Sequence, residues 1–156
     1  MFHLAGTNVA LTVENCLFTG GIDANGMIYA INAYSSTIAI SNSVFASCGN
    51  VATSTSAVKV GGSTKAKPTK LTVKSTLFEN LLGDPIYLIE AGTTASITGS
   101  TFKNNVGSFS GAVRAGTDAG AVSQSGNTFK NNKCTNTKSN CKASGFCKMV
   151  SSGRCQ

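Results

Sequence analysis

The chain has 156 residues, of which 41% are hydrophobic, 12% are charged and 17 are glycine, a mix too apolar for a disordered tail and too rich in turn-forming residues for a helical bundle. No apolar run approaches the roughly 20 residues that a membrane helix needs, so we expect no membrane span. The net charge of +7 favours anionic partners, with solvated surface lysines as the alternative interpretation.

A first short strand is predicted at five places along the chain. The segments are FHLAG (2–6), IYAIN (28–32), VKVGG (58–62), IYLIE (86–90) and VRAGT (113–117). Apolar residues alternate in most of them, which is the period of a strand with one buried face. We therefore expect the first residue of each segment to point inward and the second to point outward.

A second repeated segment follows each of these strands and ends in phenylalanine. The five segments are LTVENCLF (11–18), IAISNSVF (38–45), LTVKSTLF (71–78), ASITGSTF (95–102) and VSQSGNTF (122–129). An apolar residue lies seven positions before each Phe, and a turn-forming Asn, Ser or Gly lies three positions before it. This pattern predicts a strand, a bend and a second short strand that carries the Phe.

Three short strands in each repeat are what a parallel β-helix requires, with successive coils about 4.8 Å apart. We therefore predict an all-β fold, in which residues 1–132 form a parallel β-helix of about five three-strand coils. Residues 133–156 are predicted to form a cysteine-rich C-terminal cap, because the last coil would otherwise leave an apolar end uncovered.

The cysteines of this tail indicate an oxidising compartment. Cys134, Cys141, Cys147 and Cys155 lie within the last 23 residues, and we expect them to form two disulfides whose pairing the sequence leaves open. Zinc is the alternative, but the tail has no CxxC spacing. Disulfides predict a protein that is secreted or displayed at the cell surface.

The two remaining cysteines, Cys16 and Cys48, are predicted not to be bonded to each other. Cys16 precedes its Phe by two residues, whereas Cys48 follows its Phe by three. On adjacent coils that offset is about 16 Å, too far for a disulfide. Cys16 is expected to be buried near Ser43.

The last two repeats each contain the motif FxxN, at Phe102–Asn105 and Phe129–Asn132, and Ser110–Val113 reads SGAV. These segments resemble the FxxN and GGA[ILV] motifs of polymorphic outer-membrane protein repeats, a family of adhesins within the pectate-lyase-like β-helix superfamily. In the first three repeats the Asn is replaced by Gly21, Cys48 and Leu81. The resemblance implies a right-handed coil and a role in surface adhesion or structural display.

The candidate ligand-binding residues are the outward positions of the first strand: Tyr29, Lys59, Tyr87 and Arg114, with His3 at the start of the column. Aromatic faces stack on sugar rings, and the interleaved cations suit carboxylate or sulfate groups. The alternative is cation–π packing that only steadies the sheet. No catalytic constellation, metal site or cofactor motif is predicted, because the single histidine and six scattered acids offer no acid–base apparatus.

Together these patterns predict a non-enzymatic, extracellular structural or adhesive β-helix segment within a larger surface or matrix assembly. Its expected partners are other chains or further coils stacked end to end, and acidic polysaccharide, with no nucleic acid. The apolar stripe of Leu17, Val44 and Leu77 is a second candidate contact surface. The alternative function is a carbohydrate-active β-helix that binds or cleaves a polysaccharide.

Overall fold

A computed structural model describes residues 2–20, 27–49, 55–61, 64–136, 146–149 and 154–155. These residues form strands and turns, with no helix among them, and the strands assemble into stacked parallel sheets. The predicted all-β parallel β-helix is therefore confirmed.

Three sheets form the sides of the β-helix, and a fourth short sheet closes one corner. Sheet A contains β1 (Phe2–Thr7), β4 (Ile28–Tyr34), β7 (Val58–Val60), β10 (Ile86–Leu88), β14 (Val113–Ala115) and β18 (Phe146–Lys148). Sheet B contains β2 (Ala10–Glu14), β5 (Thr37–Ser41), β8 (Thr69–Lys74), β11 (Thr93–Thr98) and β15 (Val122–Ser125). Sheet C contains β3 (Leu17–Thr19), β6 (Val44–Ala46), β9 (Leu77–Glu79), β12 (Thr101–Lys103) and β16 (Thr128–Lys130). Sheet D pairs β13 (Val106–Gly107) with β17 (Lys133–Cys134).

The register between coils is the one that the aligned repeats predict. Each phenylalanine of sheet C pairs with the phenylalanine of the next coil. The apolar residue seven positions earlier pairs in the same way across sheet B. One irregularity interrupts sheet A between Leu4 and Gly6, where β4 carries an extra residue opposite β1.

The five phenylalanines form a continuous stack along the axis. Their ring centroids are 4.6, 5.1, 4.9 and 5.4 Å apart from one neighbour to the next, with planes within 11° of parallel. The rings of Phe45, Phe78 and Phe102 are fully buried, and those of Phe18 and Phe129 at the two ends are partly buried. At the N-terminal end Phe2 contacts Phe18 edge-on but stays 47% exposed, since no described strand pairs with the outer edge of β1.

The bend between sheets B and C depends on a left-handed backbone. The turn-forming residue three positions before each phenylalanine has a positive φ of 47° to 63° in every coil; these residues are Asn15, Asn42, Ser75, Gly99 and Gly126. Asn and Gly tolerate this conformation better than other residues do, which explains why the sequence repeats them at this position.

A buried polar side chain satisfies the backbone just after this bend. The Ser43 hydroxyl accepts a hydrogen bond from the Cys16 amide at 3.1 Å and donates one to the Ser41 carbonyl at 2.7 Å. Thr76, Ser100 and Asn127 occupy the same position in later coils. Because Ser43, Thr76 and Ser100 are buried, such hydrogen bonds replace those that the backbone would make in solvent.

The asparagine of the FxxN motif does the same at the next corner. The Leu81 amide donates to Oδ1 of Asn105, and the Asn105 amide donates to Oδ1 of Asn132, both at 3.0 Å. Their side-chain amides donate to the carbonyls of Phe78 and Phe102 in the preceding coils, again at 3.0 Å. The motif therefore has a structural role here: Phe fills the core and Asn joins adjacent coils.

The C-terminal tail continues the sheets instead of only covering their end. β17 pairs with β13, and β18 adds a sixth strand to sheet A beside β14. The sequence shows no strand period in this segment, because these two strands are only two and three residues long. Cys147 bonds to Cys155 and Cys134 is also disulfide-bonded, while Cys141 lies outside the described residues.

Cys16 and Cys48 are not bonded to each other, as predicted, and both are free thiols. Cys16 lies beside Ser43, but its predicted burial is wrong: it is exposed, since only one side of its coil carries a described neighbour. Cys48 is buried with its Sγ 3.5 Å from the Met27 sulfur, and burial raises the pKa of its thiol to about 11. Cys48 therefore stays protonated at neutral pH.

Candidate functional site

The predicted column of outward residues exists on sheet A. His3 pairs in register with Tyr29, Tyr29 with Lys59, Lys59 with Tyr87, and Tyr87 with Arg114. On β4, β7, β10 and β14 the residues on either side of the ladder position, such as Ile28 and Val58, are fully buried. The alternation of inward and outward side chains along the short strands thus aligns five residues from five separate coils. We call this set the sheet A ladder.

Neighbouring side chains of the ladder contact one another through cation–π interactions. Nζ of Lys59 lies 5.4 Å from the ring centroid of Tyr29 and 6.0 Å from that of Tyr87. The Arg114 guanidinium lies 4.1 Å from the Tyr87 ring, and the His3 ring lies 5.2 Å from that of Tyr29. The cation–π packing that the sequence offers as the alternative is therefore present, and it holds the aromatic rings in fixed positions on the surface.

Arg114 is held on several sides. Its guanidinium lies between the Tyr87 ring and the Phe109 ring, 3.9 Å from the latter, and its Nη1 is 3.4 Å from a carboxylate oxygen of Asp84. The side chain is only 12% exposed. Arg114 therefore orders the end of the ladder, and its charge is already directed toward a partner within the protein.

Asp84 is the buried anchor of this end of the ladder. Its side chain is fully buried, and its Oδ1 accepts hydrogen bonds from the backbone amides of Phe109 and Ser110, each at 2.9 Å. Burial raises the pKa of the carboxyl, while the two amide hydrogen bonds and Arg114 oppose that rise. Through these two hydrogen bonds the buried carboxyl of Asp84 joins its coil to the loop of the next coil.

Lys59 is the ladder cation that remains partly accessible. Its pKa is lowered, first by partial burial between the two tyrosines and second by repulsion from Arg114. An anion placed against the ladder would relieve both effects, since it would compensate the lost hydration and the neighbouring positive charge. Tyr29 and Tyr87 flank it and are also partly exposed.

The disulfide closes the C-terminal end of the ladder. Cys147 follows Arg114 in register, and its bond to Cys155 is buried in a small cluster with Met149. Phe109 packs against this cluster on one side and against Arg114 on the other. The Cys147–Cys155 disulfide therefore packs against the end of the ladder through Phe109.

The ladder follows from the sequence, but two residues that position it do not. In the sequence Asp84 is one of six scattered acids, and no pattern points to Phe109. Both lie in the segments between repeats, where no periodicity predicts a side chain's direction. A Gly-Asp-Pro turn directly before a strand was the one available signal for Asp84.

No group of three His, Cys, Asp or Glu side chains that could hold a metal ion occurs among the described residues. In the same part of the chain, no helix is long and apolar enough to cross a membrane. Comparison of the chain with protein-family profiles, with curated proteins and with solved structures gave no match. The similarity to polymorphic outer-membrane protein repeats stays a prediction from the motif residues.

Proposed function

We propose that the protein is a non-enzymatic, extracellular structural and adhesive β-helix segment, secreted or held at a cell surface, whose sheet A ladder binds acidic polysaccharide. The observation that carries the proposal is the ordered alternation of Tyr29, Lys59 and Tyr87 on one face. Aromatic rings offer flat surfaces for sugar rings, and a cation between them attracts a carboxylate or sulfate group.

Within this proposal Tyr29, Lys59 and Tyr87 have one role and Arg114 has another. Tyr29, Lys59 and Tyr87 contact the ligand, because each is partly exposed. Arg114 acts through Tyr87: its largely buried side chain packs on that ring at the end of the ladder and fixes its position. The stacked phenylalanine core supports the face, so the binding residues are preorganised and lose little conformational freedom on binding.

Substituting Lys59→Gln is expected to weaken binding of a sulfated or carboxylated oligosaccharide about tenfold, the loss expected for one charge-assisted contact. The Tyr29→Ala variant should weaken it further by removing a stacking surface. Isothermal titration calorimetry with a heparin hexasaccharide and an oligogalacturonate measures both effects. The matched control is Lys70→Gln, which makes the same charge change at an exposed position of sheet B.

Equal loss in the Lys70→Gln control would show that net charge, and not the ladder, determines binding. The same oligosaccharides also test the alternative function. Release of reducing or unsaturated ends during incubation with the protein would replace the adhesive proposal with a carbohydrate-active enzyme.

Assembly is the second part of the proposal. Among the described strands, β1, β2 and β3 each have a neighbour on one side only, and Phe2 is 47% exposed at that end. Free strand edges beside exposed apolar side chains favour pairing with a further coil or a second copy. Light scattering of this chain should therefore show association that rises with concentration and falls in the variant Phe2→Asp; a strict monomer at all concentrations would contradict it.

A further inference from the structure

A second basic surface lies away from the sheet A ladder, at the corner where sheet C meets sheet D. Lys103 and Lys130 pair in register on adjacent strands, so both project from neighbouring coils. Lys133 follows on β17, just past the left-handed turn at Asn131. Like charges at directly opposed positions of a sheet repel each other, so a negatively charged group near Lys103 and Lys130 would stabilise the pair.

Among the described residues, only one of these three charges has an acidic partner. Lys103 lies 3.6 Å from a carboxylate oxygen of Glu79 in the preceding coil. Lys130 and Lys133 are exposed and form no ion pair with any described residue. The sequence contains no acidic residue after Asp118, so the nearby chain offers little negative charge to neutralise them.

Lys133 lines a groove whose other polar groups are amides, and Lys130 directly precedes its lining residue Asn131. The groove has a volume of about 470 Å³ and is lined by Asn104, Val106, Asn131, Asn132 and Lys133. Asn132 uses its side chain to join coils, whereas Asn104 donates one hydrogen bond, at 3.3 Å, to Asn80. Exposed amides can both donate to and accept from hydroxyl groups, which is how proteins commonly contact sugars.

We propose that this groove is a second binding site for acidic polysaccharide. Carboxylate or sulfate groups of the ligand contact Lys130 and Lys133, and its hydroxyl groups contact the amides of Asn131 and Asn104. The inference rests on the ligand class of the proposed function but not on the ladder. Single-stranded nucleic acid is the less favoured anion, because such sites stack bases on aromatic side chains and none lines this groove.

The test compares three double or single variants of the full chain against the same heparin hexasaccharide and oligogalacturonate. Lys130→Gln with Lys133→Gln should weaken binding at this site about a hundredfold, roughly tenfold for each contact. Asn131→Gly keeps the left-handed backbone but removes the amide, and should weaken it severalfold. Lys70→Gln with Lys74→Gln is the matched control, since it removes two exposed lysines of sheet B.

Saturation-transfer contacts to the Asn131 side chain, lost in the Lys130 and Lys133 variant but kept in Lys59→Gln, would support the groove. If the Lys130 and Lys133 variant binds like the wild type while Lys59→Gln loses affinity, the groove is not a binding site and the proposal for the ladder stands. The reverse pattern overturns the ladder and supports the groove. Absence of any binding by the wild type overturns both. Binding of an oligothymidylate as tight as that of the glycans would overturn the assignment to polysaccharide.

Discussion

Replacing Phe78 with alanine is expected to destabilise the protein by about 3–5 kcal/mol, the range for losing a buried aromatic side chain. The ring is fully buried, and it stacks on Phe45 and Phe102 at 5.1 and 4.9 Å. Its removal leaves a cavity in the middle of the stack that the regular coils cannot close without losing strand pairing. Urea unfolding followed by circular dichroism measures the loss.

Two controls separate this effect from a general loss of apolar surface. Phe129→Ala removes the same side chain from the end of the stack, where it is only partly buried, and should cost clearly less. Leu17→Ala removes a side chain that is 69% exposed and should change stability by less than about 0.5 kcal/mol. Equal losses of unfolding free energy in Phe78→Ala and Phe129→Ala would contradict the idea that burial in the middle of the stack determines the size of the effect.

Replacing Asp84 with alanine is expected to cost about 3–5 kcal/mol, because it leaves Arg114 without its buried partner. The substitution also removes the acceptor of two backbone amides, those of Phe109 and Ser110. The double variant Asp84→Ala with Arg114→Met should lose much less than the sum of the two single variants, since it removes both charges together. Additive losses in this cycle would contradict the coupling between Asp84 and Arg114.

The raised pKa of Asp84 also predicts a pH dependence with a definite sign. The folded protein holds the proton more tightly than the unfolded chain, whose carboxyl titrates near 3.8. Stability attributable to this group is therefore highest below that value and decreases as the pH rises through the raised pKa. The variant Asp84→Asn has no carboxyl at this position and should lack this decrease. The difference in unfolding free energy between the wild type and the variant should therefore depend on pH.

The measurement is urea unfolding of the wild type and of Asp84→Asn at a series of pH values from about 3 upward. We expect the unfolding free energy of the wild type, relative to that of the variant, to fall with rising pH and then level off. A relative rise over the same window would mean that Arg114 and the two amides outweigh burial, and that the pKa of the carboxyl is lowered.

The sequence by itself determined the repeat, its register and the face on which the ladder lies. Spacing from Phe18 to Phe129 fixes which residues share a column, because inward and outward side chains alternate strictly along a strand. The same rule places Tyr29, Lys59, Tyr87 and Arg114 in one line from their spacing alone. Local periodicity is sufficient here because each coil contacts mainly the coils next to it.

The tertiary structure alone decided what the segments between the repeats do. Asp84 and Phe109 lie where the loop length changes from coil to coil, so no period predicts their direction, and only packing brings them to Arg114. The exposure of Cys16 was decided in the same way: its position matches the buried Ser43, but burial requires a neighbouring coil on both sides. Register is a local property of the sequence, whereas burial and ion pairing depend on which groups the loops bring together.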